Sequence, residues 1–174
     1  MLALAKHIKD DPDLEIVNVI APKAESPALE AAQEASLQTT VVAHGETFES
    51  DLLKALEDTD WICLAGFMRL LPEAVVNQWN GRILNIHPAL LPKFGGKGMY
   101  GIHVHEAVLA AGETESGCSV HFVTKEYDEG AVYMQSKCPV LPDDTPETLA
   151  ARVLVLEHET YYKALKAAID GQRD

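Results

Sequence analysis

The chain is organised around residues 83–92, which read Ile83-Leu84-Asn85-Ile86-His87-Pro88-Ala89-Leu90-Leu91-Pro92. The apolar start of this stretch predicts a β-strand, and the prolines predict its end. Because side chains alternate along a strand, Asn85 and His87 fall on one side and can be aimed at one point. An amide donates N–H groups, and an imidazole moves protons near neutral pH. The pair suits a carbonyl whose oxygen becomes negative during a reaction. The alternative is structural, with Asn85 closing a turn and His87 stacked on Pro88.

The chain on either side of this stretch alternates short strands with short helices. Strands are predicted over residues 14–20, 39–42, 61–65 and 83–86, with helices before and between them. This alternation predicts an α/β fold with a mostly parallel, doubly wound sheet. Ligands of such sheets lie beyond the carboxyl ends of the strands, where both Gly66–Leu71 and Asn85–Pro88 are expected.

The later part of the chain predicts two alternating strands, over residues 117–124 and 131–140, as an antiparallel-leaning edge pair. Asp128 lies in the turn between them, either as an ordinary turn residue or as a carboxylate that orients and charges an exposed histidine. A long amphipathic helix is expected from Pro146 to about Ile169, ending near Gly171, without a full capping box because Thr148 stands where Glu or Gln is needed. The glycine-dense segment Gly95–Gly101 is interpreted as a mobile lid or surface loop in preference to a phosphate cradle.

Composition limits the classes of function. The 174 residues include 47% hydrophobic residues and carry a formal net charge of −13, which argues against nucleic-acid binding. No apolar run is long enough to span a membrane, and no signal peptide is recognised, so a cytoplasmic location is expected. The three cysteines, Cys63, Cys118 and Cys138, lack metal-binding spacing and are expected to be buried thiols; no metal is expected. No serine or cysteine lies in a nucleophile elbow, so the attacking group should belong to a second substrate.

Three segments together resemble the phosphoribosylglycinamide formyltransferases, a branch of the folate-dependent formyltransferases. They are Leu64-Ala65-Gly66-Phe67-Met68-Arg69-Leu70-Leu71, Leu84-Asn85-Ile86-His87-Pro88-Ala89-Leu90-Leu91-Pro92-Lys93, and Ser119-Val120-His121-Phe122-Val123 with Asp128. The similarity covers nearly the whole chain. It implies a three-layer Rossmann-like fold, formed by a single domain over residues 1–174, and transfer of the formyl group of 10-formyltetrahydrofolate to the amino group of glycinamide ribonucleotide.

The resemblance also implies roles for individual residues. Asn85 and His87 would bind the formyl oxygen, and Asp128 would hold His87 protonated and help to remove the proton of the amine through water. Glu157 would hold the ribose hydroxyls of the nucleotide. The resemblance places Met68, Arg69, Leu70, Leu71 and Asn85 at the folate. It places Gly66 and Pro88 at the nucleotide. The partners are small molecules, with a homodimer left open.

Three departures from the family pattern are expected to matter. Met1-Leu2-Ala3-Leu4 matches the helix that follows the family's first strand and phosphate-binding loop, so both are expected to be missing. Gly45 stands where the family often has a basic residue near the tail of the folate, and Gly95–Gly101 is longer than the usual link. Two alternatives stay open: a 10-formyltetrahydrofolate hydrolase that uses water as the attacker with the same three residues, or an inactive folate-binding fragment that lacks the phosphate loop. A transfer-RNA formyltransferase is disfavoured by the acidic charge.

Overall fold

The computed structural model describes residues 2–173, with the side chain of Arg173 left out. The chain forms two compact units, residues 2–60 with Pro72–Gln78, and Trp61–Leu71 with residues 79–173. All candidate catalytic, folate-binding and nucleotide-binding residues lie in the second unit. The single-domain organisation expected from the resemblance stays a prediction.

The first unit contains two parallel strands with short helices. Its elements are α1 (Leu2–Lys9), β1 (Val19–Ala21), α2 (Pro27–Glu34), β2 (Thr39–Val41), α3 (Phe48–Ala55) and α4 (Glu73–Gln78). Strand β1 pairs with β2 from Val19 opposite Thr39 onward. The strand expected over residues 14–20 is thus confined to its last two residues and Ala21. Leu29 and Ala32 of α2 bury their side chains against this strand pair.

The second unit is a four-stranded sheet with two helices. Its elements are β3 (Ile62–Leu64), β4 (Ile83–His87), α5 (Ile102–Ala110), β5 (Glu115–Phe122), β6 (Val132–Pro139) and α6 (Pro146–Arg173). The strand order is β3-β4-β5-β6, with β3 and β4 parallel and the other two pairs antiparallel. The predicted α/β class is confirmed, and so is the antiparallel pairing of the last two strands.

The core of the second unit lies between the sheet and the helices α5 and α6. Its fully or nearly buried members are Val108, Cys118, Cys138, Leu149 and Val153. Side chains of this size each contribute about 1.5–3 kcal/mol when buried. None of the helices within residues 2–173 is both long and apolar enough to cross a membrane.

Helix α6 begins at Pro146, as expected, but with a reciprocal cap at Thr145 and Thr148 where no full capping box was expected. The hydroxyl of Thr148 accepts the N–H of Thr145 at 2.9 Å, and Thr145 Oγ1 accepts the N–H of Thr148 at 3.3 Å. These two bonds reproduce a capping box with a hydroxyl in place of a carboxylate. The helix continues to Arg173, two residues past the glycine near which its end was expected.

Tyr161 of α6 fixes the two parallel strands at the edge where a ligand is expected. Its hydroxyl lies 2.8 Å from the carbonyl oxygen of Leu64 and 2.9 Å from that of Leu84, so one O–H is shared between two adjacent strands. The side chain is 5% exposed. This contact holds the residues after β3 in register with Asn85 of β4.

Candidate active site

Two predicted site segments follow neighbouring strands. Leu64, the last residue of β3, pairs with Asn85 of β4, and because these strands are parallel, Gly66–Leu71 and Asn85–Pro88 lie at the same edge of the sheet. Met68 is 63% exposed and Leu70 is 43% exposed. Exposed apolar side chains at such an edge are available to a flat, partly apolar ligand, and core packing does not explain Met68.

Asn85 and His87 occupy alternate positions of β4, as the sequence predicted. They pair with His121 and Ser119 of the antiparallel strand β5, so all four side chains share one face of the sheet. His87 and His121 are buried, and Asn85 is half-buried. The Nδ2 atom of Asn85 lies 3.1 Å from Nε2 of His121.

Asp128 joins this group from the turn after β5. Its Oδ2 lies 3.6 Å from Nδ1 of His87, and its Oδ1 lies 3.4 Å from Nε2 of His121. The N–H of Gly96 donates to Oδ2 at 2.9 Å. Asp128 has φ of +55°, a left-handed conformation that Asp and Asn adopt more readily than most residues. The structure thus brings together the three residues predicted to be catalytic.

His121 is the member of the cluster that had no assigned role in the sequence prediction. It contacts both Asn85 and Asp128, and its Nδ1 lies 2.9 Å from the carbonyl oxygen of Phe122. A carbonyl only accepts, so Nδ1 carries a proton and Nε2 is the atom that faces the other two residues. The alternation of Ser119 and His121 in a predicted strand places both side chains on one face of the sheet. Only the pairing of β5 with β4 shows that this is the face of Asn85 and His87.

Burial and charge act in opposite directions on His87. Burial lowers the pKa of His87, and the attraction of Asp128 and the hydrogen bond to Phe94 offset this only in part, so that the pKa stays below its ordinary value. The neutral imidazole therefore predominates at neutral pH. The role that the resemblance implies, in which Asp128 holds His87 protonated, stays a prediction.

Asp128 behaves in the opposite way. Burial raises its pKa, but the hydrogen bond with His121 and the N–H of Gly96 together hold the pKa of this carboxyl below its ordinary value. Asp128 is therefore an anion throughout the neutral range. An ionised carboxylate beside two buried imidazoles can receive and pass on a proton.

The backbone that follows His87 is held by Ser119 and Gln135. The buried hydroxyl of Ser119 donates to the carbonyl of Ala89 at 2.6 Å and accepts the N–H of Leu91 at 2.9 Å. Gln135 Nε2 donates to Ser119 Oγ at 2.8 Å and to the carbonyl of Leu91 at 3.0 Å. Each such bond contributes about 1 kcal/mol, and together they fix the path of the chain from Pro88 onward.

Glu157 is not part of the Asp128 cluster. It belongs to α6, which contacts β5 and β6 on the face that carries Cys118 and Ser136, opposite to the face of His87 and Ser119. Burial raises the pKa of Glu157 to about 7. A carboxylic acid poised near neutrality can donate or accept a hydrogen bond, as a diol ligand would require.

The described residues contain no group of three or more His, Cys, Asp or Glu side chains that could hold a metal ion. His103 is exposed and pairs with Glu106 at 3.0 Å, whereas His105 of the same helix is buried. The three cysteines are free thiols. The chemistry supported by the cluster is proton transfer next to a polarised carbonyl.

Known proteins are similar to this chain over most of its length. The formyl transferase family model matches residues 3–165. The trifunctional purine biosynthetic protein adenosine-3 of Drosophila pseudoobscura pseudoobscura is 43% identical over 164 residues, which cover 90% of this chain and 12% of that protein. The chloroplastic phosphoribosylglycinamide formyltransferase of Arabidopsis thaliana is 53% identical over 108 residues, covering 62% of this chain and 37% of that protein. The chain thus spans well under half the length of these curated relatives.

Solved structures match over more of their length. Phosphoribosylglycinamide formyltransferase from Coxiella burnetii is 43% identical, with a TM-score of 0.84 over 94% of this chain and 78% of that chain. The enzyme of the same name from Anaplasma phagocytophilum is 40% identical, with a TM-score of 0.83 over 97% of this chain and 80% of that chain.

Proposed function

Because the chain belongs to the formyl transferase family, we propose that it transfers the formyl group of 10-formyltetrahydrofolate to the amino group of glycinamide ribonucleotide. The observation that supports this proposal most directly is the convergence of Asn85, His87 and Asp128, with Asp128 Oδ2 3.6 Å from His87 Nδ1. The names of the solved relatives give the substrate class. Hydrolysis of the same formyl donor has no observation of its own in its favour.

In the proposed reaction, the substrate amine attacks the formyl carbon, and the carbonyl oxygen becomes an oxyanion. The amide N–H of Asn85 donates to this oxygen, and a charged His87 next to it supplies positive potential. Because the pKa of His87 is lowered by burial, His87 gains its charge during the reaction, when it takes the proton that the attacking amine releases. Asp128, with water, passes this proton and stabilises the resulting imidazolium.

The second half of the reaction breaks the bond between the formyl carbon and N10 of the folate. The oxyanion returns to a carbonyl, and the proton held by His87 and Asp128 is given to N10. The products are the formylated amine and tetrahydrofolate, with no net proton or electron left on the protein. We propose that Met68, Arg69, Leu70 and Leu71 contact the folate, that Gly66 and Pro88 border the nucleotide, and that Glu157 holds its ribose.

The test is a formyl-transfer assay with 10-formyltetrahydrofolate and glycinamide ribonucleotide, scored for formylated nucleotide and for formate. Formylated product that appears only with both substrates supports the proposal. Formate release without the nucleotide would indicate a hydrolase instead. Calorimetry that detects binding of a folate analogue but no binding of the nucleotide would indicate an inactive folate-binding protein.

A further inference from the structure

Phe94 connects the hydrophobic core of the second unit to the catalytic cluster. Its partly buried side chain packs against the core cluster that contains Val108, Cys118 and Leu149. Its own carbonyl oxygen lies 2.7 Å from Nε2 of His87. The residue has φ of +56°, a left-handed conformation that is costly for an aromatic residue and persists only where the surroundings impose it.

The next two residues extend the same contact to Asp128. The N–H of Gly96 donates to Asp128 Oδ2. Gly95 lies so close that an added Cβ would stand 3.3 Å from Cβ of Asp128 and 2.5 Å from Cδ2 of Leu91. The segment Phe94–Gly96 therefore offers an acceptor to the histidine and a donor to the carboxylate within three residues.

We propose that Phe94 is a positioning residue for the formyl-transfer reaction. Its ring anchors it in the core, and its carbonyl fixes the tautomer of His87. The N–H of Gly96 fixes the carboxylate of Asp128. This inference rests on the proposed function for its catalytic meaning. Its structural content, the protonation pattern of one imidazole, can be measured without any substrate.

The tautomer follows from hydrogen-bond chemistry. Because a carbonyl oxygen only accepts, Nε2 of His87 carries the proton in the neutral ring. Nδ1 is then the bare nitrogen, and it faces Asp128 Oδ2. Without Phe94 in place, the favoured neutral tautomer would be the opposite one, in which Nδ1–H donates to the carboxylate. That form has no vacant nitrogen beside Asp128 to receive the proton of the amine.

Other ionisable groups surround His87, and the measurement has to separate them. Asp128 and His121 face it directly, and His105 of α5 is close enough to feel its charge. Long-range ¹H–¹⁵N NMR spectra of ¹⁵N-histidine protein, recorded at about pH 8, report which ring nitrogen of each histidine is protonated. His87→Asn identifies the His87 signals.

The decisive variant is Phe94→Ala, with Leu109→Ala as the matched control. Leu109 is another partly buried residue that packs on the same core cluster, but it lies on α5. We expect His87 to be protonated at Nε2 in the wild type and in Leu109→Ala, and at Nδ1 in Phe94→Ala. Phe94→Leu, which keeps an apolar anchor, should retain the wild-type pattern. Nε2 protonation in all four proteins would overturn the proposal.

A second variant covers the case in which Phe94→Ala fails to fold. Gly95→Ala leaves the aromatic anchor intact but places a methyl group against Asp128 and Leu91, whereas Gly171→Ala adds a methyl group to open space. We expect Gly95→Ala to lower kcat by about 100-fold with little change in KM and to alter the pH profile, because the catalytic pair is displaced rather than removed. An unchanged kcat and pH profile in Gly95→Ala would overturn the role of the segment.

The two readouts separate the two hypotheses. If the wild type shows no formyl transfer but the NMR pattern is as expected, the proposed function fails and the positioning contact stands. If transfer occurs while His87 is protonated at Nδ1 in the wild type, the proposed function stands and the positioning role fails.

Discussion

Glu157 of α6 is a partly buried carboxyl group. Burial raises its pKa from 4.5 to about 7. The folded protein therefore binds a proton that the unfolded chain releases over this interval. The protonated carboxyl of Glu157 therefore favours the folded state at low pH. The free energy of unfolding of the wild type declines as the pH rises from about 4.5 to about 7.

The size of the effect comes from the same shift. One pKa unit corresponds to about 1.4 kcal/mol, so the full interval is worth about 3 kcal/mol. The glutamine in Glu157→Gln does not titrate and keeps the shape of the side chain. Its stability relative to wild type should therefore rise by about 2 kcal/mol between about pH 5.5 and about pH 8.

The assay is urea unfolding of wild type and Glu157→Gln at both pH values, followed by circular dichroism. Glu159→Gln is the matched control, because it removes a 62%-exposed carboxylate from the same helix. Its difference from wild type should stay within about 0.5 kcal/mol at each pH. A Glu157→Gln difference that is the same at both pH values would refute the argument that burial sets the charge of this group.

Three further outcomes are expected. His87→Ala and Asp128→Asn should each lower kcat by about two to four orders of magnitude in the formyl-transfer assay. Because Asn tolerates the left-handed turn at position 128, an unchanged circular dichroism spectrum would attribute the loss to chemistry. Near-normal turnover in either variant would remove that residue from the mechanism. Tyr161→Phe should lower the free energy of unfolding in urea by about 1–3 kcal/mol, since two strand carbonyls lose their shared donor, and an unaltered midpoint would contradict this. Burial raises the pKa of Cys63 to about 12. Iodoacetamide at about pH 8 should therefore label Cys63 slowly in the native protein and faster once urea is added. Fast labelling of Cys63 in the native protein would contradict its burial.

Local patterns were sufficient to predict most of the elements. Strand β4 was expected over Ile83–Ile86 and extends over Ile83–His87, and the helix expected from Phe48 to Leu56 extends over Phe48–Ala55. These elements are specified by periodicity within a few residues. The grouping of Asn85, His87 and Asp128 came from recognising a family pattern, because a turn residue more than 40 positions away carries no local sign of its partner.

What escaped prediction depends on contacts between distant segments. His121 gains its place from pairing opposite Asn85, and no periodicity specifies which strand lies beside β5. The lowered pKa of His87 is a balance between burial and the charge of Asp128, and neither term can be evaluated before the side chains are placed. Leu14, Ile16 and Val17 are apolar, yet in the described part of the chain no strand forms before Val19, which shows that propensity alone does not form a strand.

The shared hydroxyl of Tyr161 has a consequence for the biosynthesis of the protein. The carbonyls that it joins belong to Leu64 and Leu84, which leave the ribosome long before α6 does. Until that helix has been translated, the two strands lack their common donor at the very edge where substrate would bind. The nascent polypeptide therefore acquires its competent edge only after translation of α6, and ribosome-bound chains stalled before Pro146 should be sensitive to protease near residues 64–71.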